Sequence, residues 1–539
     1  MWLSSTAFKI SPLLRAYNPT IQENPVQGSA KGSNLLKLDQ FQLQRQGQLS
    51  AVKSAELVAK YVNYGYNLIL PQSQSVLEGL LPNDALEHLQ KATIISVGDF
   101  HGNGLRLAED LVMFGLLNIK NEEAYDNYRM AFQEFEKNAR PVYKKFIKIR
   151  KKTEDYTYTE EMQAKDQKWI KKGGEVKQAK RLLELIKLQE AAFCVNPEGI
   201  KTKKFWSKAD DLCDRGPSDW LALEIITMIR DHKDAKDDTL VFNLSNHAIN
   251  YYKGPQSVGK NLTELAQERN DFFKDPILAE KGIKSYLNTR SMHETYQLFA
   301  AMPDGEEKTK ALQRYRDLLQ KQYESHTLIH QEGHVVTTHA FVSKETEQAW
   351  RFFLHRLDLQ KPSNTTFKET LFRNTSLHLQ SGEAYRETIA KINTLTKDYL
   401  IYQMTNQKSP ALAELNDKEL KKLAGLISHT ANEREKPFHP PMIHGGFPSL
   451  EAAGFVPPED LCKGETPHIN YGHTGGNDKE PANGPFDTVL SEKAPFLKKL
   501  HISCINNNIR KYEEWQNLYV LKKGKDGKPH KENPIVIIE

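Results

Sequence analysis

Residues 98–103 read Gly-Asp-Phe-His-Gly-Asn and place a carboxylate, Asp99, two positions before an imidazole, His101. The flanking glycines, Gly98 and Gly102, would let the backbone approach a bound ion or phosphate closely. An oxygen donor beside a nitrogen donor suits a divalent transition metal. Asp99 and His101 are therefore candidate metal ligands, although an Asp-x-His triplet alone is weak evidence.

A second charged group lies in residues 210–217, which read Asp-Asp-Leu-Cys-Asp-Arg-Gly-Pro. Asp211 could bridge two ions, Asp214 could orient a histidine, and Arg215 could bind phosphate through its planar guanidinium. The alternative is a charge cluster that stabilises the N-terminus of a helix predicted over residues 220–230.

A third group, Asn246 and His247, follows an apolar run directly. The Asn246 amide oxygen can bind a metal. The His247 imidazole can act as a general acid if a carboxylate, to which we assign Asp214, holds its protonated form.

Two later histidines also follow strand-like runs: His339 comes after Val335–Thr338, and His473 comes soon after His468–Tyr471. A neutral imidazole at either position could bind a metal. Taken singly, each histidine would more often be a hydrogen-bonded structural residue.

The order of these groups resembles a known family. GDFHGN, DDLCDRGP and SNH resemble the GD-x-HG, GD-x-VDRG and GNHE signatures of the calcineurin-like metallophosphoesterases, in particular the PPP phosphoprotein phosphatases. THA at 338–340 and YGHT at 471–474 are similar to the segments that carry the family's later metal-binding histidines.

The resemblance implies an α/β fold, a metallophosphoesterase core of β-sheets flanked by helices, with helical insertions. It implies two bound divalent ions, manganese first, with iron or zinc also compatible. The implied ligands are Asp99, His101, Asp211, Asn246, His339 and His473.

The same resemblance implies the chemistry. A hydroxide activated by two metals would attack phosphorus in a phosphomonoester of a phosphoprotein, at phosphoserine, phosphothreonine or phosphotyrosine. His247 would donate a proton, Asp214 would orient His247, and Arg215 would contact the phosphate.

Several positions depart from the signatures: Asp210 and Ser245 stand where the family has glycine, and Ala248 stands where it has glutamate. His444, within Ile-His-Gly-Gly-Phe, also resembles a family ligand and is the alternative to His339. We prefer His339 because it ends a β-type run. Arg351 is the candidate for the family's second phosphate-binding arginine, which has no clear counterpart here.

The elements that must position these residues are short β-branched runs. They are Thr93–Val97, Leu240–Leu244, Val335–Thr338 and His468–Tyr471. Each run leads into a candidate site segment, and ligands of α/β sheets gather at the carboxyl ends of strands. Long stretches with helical spacing separate the runs, which favours an α/β sheet covered by helices.

Residues 120–200 carry apolar side chains at helical spacing, and we predict a helical hairpin packed on the core. A docking element for a protein partner or a membrane surface is the alternative. Because no predicted ligand lies in the hairpin, hydrolysis of a small phosphate ester should survive its removal.

The predicted organisation has six parts. These are an N-terminal, partly helical segment (1–90), the first part of the core (91–119), the hairpin insertion (120–200), the continued core (201–345), a second helical insertion (346–438), and the C-terminal part of the core with a tail (439–539).

Composition excludes some classes of protein. The 539 residues contain 74 basic and 69 acidic side chains, a net charge of +5, which does not indicate a nucleic-acid binder. Four cysteines without a C-x-x-C pair do not indicate a disulfide framework. Without an export leader of the Sec type or an apolar stretch of about 18 residues, we expect a soluble protein with no transmembrane segment, cytoplasmic or exported into a host cell by a specialised secretion system.

Large helical insertions on a divergent PPP core are similar to effector phosphatases of the Wip kind, which intracellular bacterial pathogens inject into host cells. That resemblance implies host phosphoproteins as substrates. The alternatives are a dinucleotide polyphosphate hydrolase, which shares the ligand set, and a catalytically inactive scaffold with the phosphatase fold.

Overall fold

The computed structural model is mixed α/β and contains two larger β-sheets, which pack on each other through residues such as Trp206 and Val335. The structure describes residues 48–62, 64–70, 75–98, 100–141, 160–207, 212, 216–246, 248, 291, 295, 298–299, 301–340, 342–359, 377–431, 454–465, 467–471, 484–489, 499–504 and 530–537.

The strands are β1 (Tyr64–Leu70), β2 (Ser75–Leu80), β3 (Ile94–Val97), β4 (Leu117–Ile119), β5 (Phe193–Val195), β6 (Lys204–Ser207), β7 (Leu240–Phe242), β8 (Ile329–Glu332), β9 (Val335–Thr338), β10 (His468–Tyr471), β11 (Gly484–Val489), β12 (Lys499–Cys504) and β13 (His530–Ile537).

The helices are α1 (Ala51–Tyr61), α2 (Pro82–Lys91), α3 (Gly104–Phe114), α4 (Glu122–Lys137), α5 (Glu160–Lys171), α6 (Gly174–Ala192), α7 (Pro197–Thr202), α8 (Asp219–Arg230), α9 (Glu306–Glu324), α10 (Lys344–Leu359), α11 (Gly382–Thr405), α12 (Pro410–Ala413), α13 (Asp417–Ala431) and α14 (Glu459–Cys462). None of the helices in the described ranges is long and apolar enough to cross a bilayer.

The first sheet has the strand order β2-β1-β13-β3-β6-β7, and the second has the order β11-β12-β10-β9-β8. Strands β3, β6 and β7 are parallel neighbours, as are β9, β10 and β12. All residues of β3, β7 and β9 are buried, which explains why these strands are rich in β-branched and apolar residues and contain no charge, because parallel strands are usually covered on both faces.

The four predicted strands are confirmed with small shifts of their ends. The strand predicted over Thr93–Val97 begins at Ile94, and that over Leu240–Leu244 ends at Phe242. The other two, β9 and β10, have the predicted bounds. The first sheet also extends before residue 91, because β1 and β2 belong to it.

The two faces of the first sheet bury different partners. Phe205 of β6 lies against Phe100 and Phe114, at ring-centroid distances of 5.9 and 6.4 Å. The neighbouring Trp206 points to the opposite face, where it clusters with Val335 of the second sheet. The second sheet therefore covers one face and helix α3 covers the other.

Helices α4 and α6, with α5 between them in sequence, form the predicted helical segment, and its buried side chains include Tyr125, Tyr128, Phe132 and Leu182. Tyr125 of α4 donates a hydrogen bond to Glu109 of α3 at 2.9 Å, and Phe193, which follows α6, pairs with Ile119. The hairpin thus shares its core with α3. This shared core weighs against the expectation that hydrolysis of a small phosphate ester survives removal of the hairpin, because removal would expose buried surface of α3.

Candidate functional site

The first candidate segment forms a tight turn between β3 and α3. His101 is buried and has φ 48°, and Gly102 follows with φ 67°. A positive φ is uncommon for a residue with a side chain, although histidine tolerates it better than most. The Asn103 side chain then accepts a hydrogen bond from the Arg106 amide at 3.1 Å and caps α3. Asp99 lies outside the described residues.

The second candidate segment packs directly on this turn. A Cβ at Gly102 would lie 2.6 Å from the Leu212 carbonyl oxygen, and one at Gly216 would overlap the carbonyl of His101. The Ser218 amide donates to the Gly102 carbonyl at 3.4 Å. Close backbone approach therefore requires both glycines, and the positive φ of Gly102 is a second requirement at that position. Two segments about 110 positions apart in the sequence meet as predicted.

Three of the candidates, Asp211, Asp214 and Arg215, lie outside the described residues. Leu212 and Gly216, which precede and follow the last two in sequence, are described. Leu212 and Gly216 themselves approach the backbone of Gly102 and His101 closely.

The strongest contact of the site joins Asn246 to His339, which lie 93 positions apart. The Nε2 atom of His339 lies 3.0 Å from the Oδ1 atom of Asn246, so Nε2 donates this hydrogen bond. Asn246 follows β7 of the first sheet, whereas His339 follows β9 of the second. His339 is buried and Asn246 is half-buried. The structure brings together two residues predicted to bind the same metal ion.

The register of the second sheet ends β10, the strand that precedes His473 in sequence, level with β9. Thr338 of β9 pairs with Tyr471 of β10 in a parallel ladder, so both strands end level. His339 follows one strand end immediately, and His473 follows the other by two positions. His473 itself lies outside the described residues, as do His247 and His444, so the choice between His339 and His444 rests on the contact of His339 with Asn246.

Buried charged residues that were not predicted from the sequence hold α3, the helix that follows the first candidate segment. Glu109 of α3 lies 3.3 Å from the Arg129 guanidinium of α4, and burial raises the pKa of Glu109. Arg106 and Asp110 form a second buried pair at 3.4 Å, and the Tyr66 hydroxyl donates to Asp110 at 3.1 Å. Arg106 and Asp110 had a signal in the sequence, opposite charges four positions apart within an apolar helix, whereas Glu109 and Arg129 lie too far apart in sequence to give one.

A further buried network lies behind the second segment. Asp219, the first residue of α8, accepts hydrogen bonds from Tyr315 at 2.5 Å and from Thr295 at 2.8 Å. Ser291, one helical turn before Thr295, faces Gly102. Asp219 therefore ties the start of α8 to α9 and to the described residues near 295.

Arg351 lies in α10, where its Nε atom is 3.4 Å from a Glu347 carboxylate oxygen. Glu347 also accepts hydrogen bonds from the backbone amides of Leu377 and Phe455 at 3.0 and 3.2 Å. This buried arrangement gives Arg351 a structural role in the second helical insertion.

Among the described residues, no group of three or more histidine, cysteine, aspartate or glutamate side chains is placed to hold a metal ion. Four of the candidate ligands, Asp99, Asp211, His473 and His444, lie outside those residues. No family model, curated protein or solved structure matches this chain.

Proposed function

We propose that this chain is a two-metal phosphoesterase that acts as a phosphoprotein phosphatase. The observation that carries the proposal is the 3.0 Å contact of His339 with Asn246. Two of the five motif segments are joined there across two sheets, and two others, around His101 and Leu212, pack together on the first sheet.

The donor atoms fit a shared ion. Adjacent donors of an octahedral shell with bonds of about 2.1 Å are about 3.0 Å apart. His339 Nε2 and Asn246 Oδ1 have this separation without an ion. An amide oxygen and a neutral imidazole are also donors that manganese, iron and zinc accept. Binding would require Nε2 to be deprotonated, with the imidazole proton on Nδ1.

The ligand roles follow the motif positions. Asp99 and His101 would hold one ion, Asp211 would bridge, and Asn246, His339 and His473 would hold the other. When bound, the two ions would stabilise charge on the phosphoryl group and lower the pKa of water at the site.

The remaining polar residues would act on the phosphate ester itself. His247 would donate its proton to the leaving oxygen, and Asp214 would hold the His247 imidazole in its protonated form. Arg215 would bind phosphoryl oxygens through its planar fork of N–H donors. These three roles place the proton donor next in sequence to a ligand, Asn246, and therefore near the scissile bond.

The test combines metal analysis with a substrate panel. Purified protein should contain divalent metal and hydrolyse phosphopeptides that carry phosphoserine, phosphothreonine or phosphotyrosine, and Asp211→Asn should lose both metal and activity. Asp238→Asn is the matched control, because it removes a carboxylate that lies before β7, at the opposite end of that strand from Asn246, and pairs there with Lys204 at 2.7 Å.

The outcomes separate the alternatives. Turnover of diadenosine tetraphosphate without turnover of phosphopeptides would replace the protein substrate with a dinucleotide. Metal-free protein that is inactive on every phosphate ester would contradict the enzyme proposal and favour a scaffold.

A further inference from the structure

The side-chain amide of Asn243 connects the two sheets beside the Asn246–His339 contact. Asn243 is fully buried, and its Nδ2 atom donates to the Thr337 carbonyl at 3.1 Å. Asn243 precedes Asn246 by three positions, and Thr337 precedes His339 by two. We infer that Asn243 is a positioning residue that sets the separation of these two donor atoms, an inference that rests on the proposed metal site.

The backbone around Asn243 is held on both sides, so its side chain can act as a spacer of fixed length. The Asn243 amide donates to the Ser207 carbonyl of β6 at 2.9 Å. The following amide, of Leu244, donates to Thr327 at 2.8 Å, and the Thr327 amide donates back to Phe242 at 3.3 Å. Thr327 lies just before β8, so β7 is anchored to the second sheet through its backbone as well.

Only one orientation of the amide makes this connection. If the amide were rotated by half a turn, its oxygen would face the oxygen of Thr337, and two acceptors cannot share a hydrogen bond. In the observed orientation Oδ1 has no protein hydrogen-bond partner within the described residues. The amide therefore contributes a single bond between protein groups, directed at the strand that carries His339.

This geometry allows the effect of Asn243 on the position of the two donor atoms to be tested apart from its effect on the stability of the fold. Replacing Asn243 by leucine, which has the same number of side-chain heavy atoms, removes that bond and the buried amide oxygen, and the Thr337 carbonyl that loses this donor lowers the stability of the fold. The spacing of β7 and β9 at the site would no longer be fixed. Asn243→Asp keeps the size but places a carboxylate oxygen against the Thr337 carbonyl, which should separate the strands further.

The matched control is Gln178→Leu. Gln178 is buried in α6, where its Nε2 donates to the Phe135 carbonyl at 2.9 Å and its Oε1 accepts from Arg181 at 3.2 Å, so the change removes the same kind of bond, and one more, outside both sheets. The experiment measures the number of bound metal ions per chain by mass spectrometry, together with the melting temperature of each full-length variant. Asn243→Leu and Asn243→Asp should each lose about one of two ions, whereas Gln178→Leu should retain both at a similar melting temperature.

Wild-type metal content in a folded Asn243→Leu variant would overturn the inference, as would an equal loss in Gln178→Leu. If the wild type itself binds no second ion, the proposed function fails. The positioning role of Asn243 is then tested in metal-free protein by the following measurement. In ¹⁵N-histidine-labelled protein with chelator at one pH, the His339 Nε2 signal should move in Asn243→Leu but not in Gln178→Leu. An unmoved signal would contradict the positioning role.

Discussion

At the residue scale, His247 follows Asn246 directly, and Asn246 is held against His339 at 3.0 Å. His247→Asn should therefore damage turnover of phosphoserine far more than turnover of nitrophenyl phosphate. An alkoxide leaving group needs a proton as its bond to phosphorus breaks, whereas nitrophenolate leaves unprotonated. The expected difference between the two substrates is about 10²- to 10⁴-fold in kcat.

The same comparison applies to the residue assigned to orient His247. Asp214→Asn should show this substrate selectivity more weakly, with metal content unchanged. Equal losses on both substrates in His247→Asn, at wild-type metal content, would assign His247 to phosphate binding instead of proton transfer.

At the scale of elements, His330 of β8 lies between the two sheets, with its ring 4.7 Å from that of Trp206. Burial lowers the pKa of His330 to about 4, in spite of the Asp238 charge nearby. In the unfolded chain the pKa of this imidazole is about 6.5. Between pH 6.5 and 4 the unfolded chain therefore binds a proton that the folded protein does not, so the free energy of unfolding falls as the pH is lowered through this range. The full loss would be about 3 kcal/mol.

Chemical denaturation tests this prediction. His330→Leu should reduce the loss in free energy of unfolding between pH 7 and pH 4.5. The same loss in the variant and the wild type would show that other groups cause the acid sensitivity.

The local sequence pattern predicted the strands whose residues are buried on both faces of a sheet. β3, β7 and β9 are short uncharged runs rich in β-branched and apolar residues, so the sequence identifies them and the site segments that follow. It did not identify β1 and β13, which pair in parallel although more than 400 positions separate them, because partners so distant leave no local signal. Asn243 was missed for another reason: it lies inside the predicted strand Leu240–Leu244, and the sequence does not show that its amide bonds to Thr337 of the other sheet.

At the scale of the whole molecule, the hairpin and the site helix α3 are built on one hydrophobic core. Replacing residues 121–199 by a short linker would remove the buried side chains of Tyr125, Tyr128, Phe132 and Phe193. Each contributes about 1.5–3 kcal/mol, and a whole domain is typically stable by only about 5–15 kcal/mol. We expect the deletion variant to be unfolded by circular dichroism. A folded, metal-binding deletion variant would contradict this shared core.

The central claim is that Asn246 and His339 hold a common ion, and counting ions per chain in two alanine variants tests it most directly. His339→Ala should lose the second ion and keep the first, because its Nε2 atom is already 3.0 Å from Asn246 Oδ1. His444→Ala should retain both ions. The reverse ranking, with His444→Ala losing an ion and His339→Ala keeping two, would contradict the account and transfer the ligand role to His444.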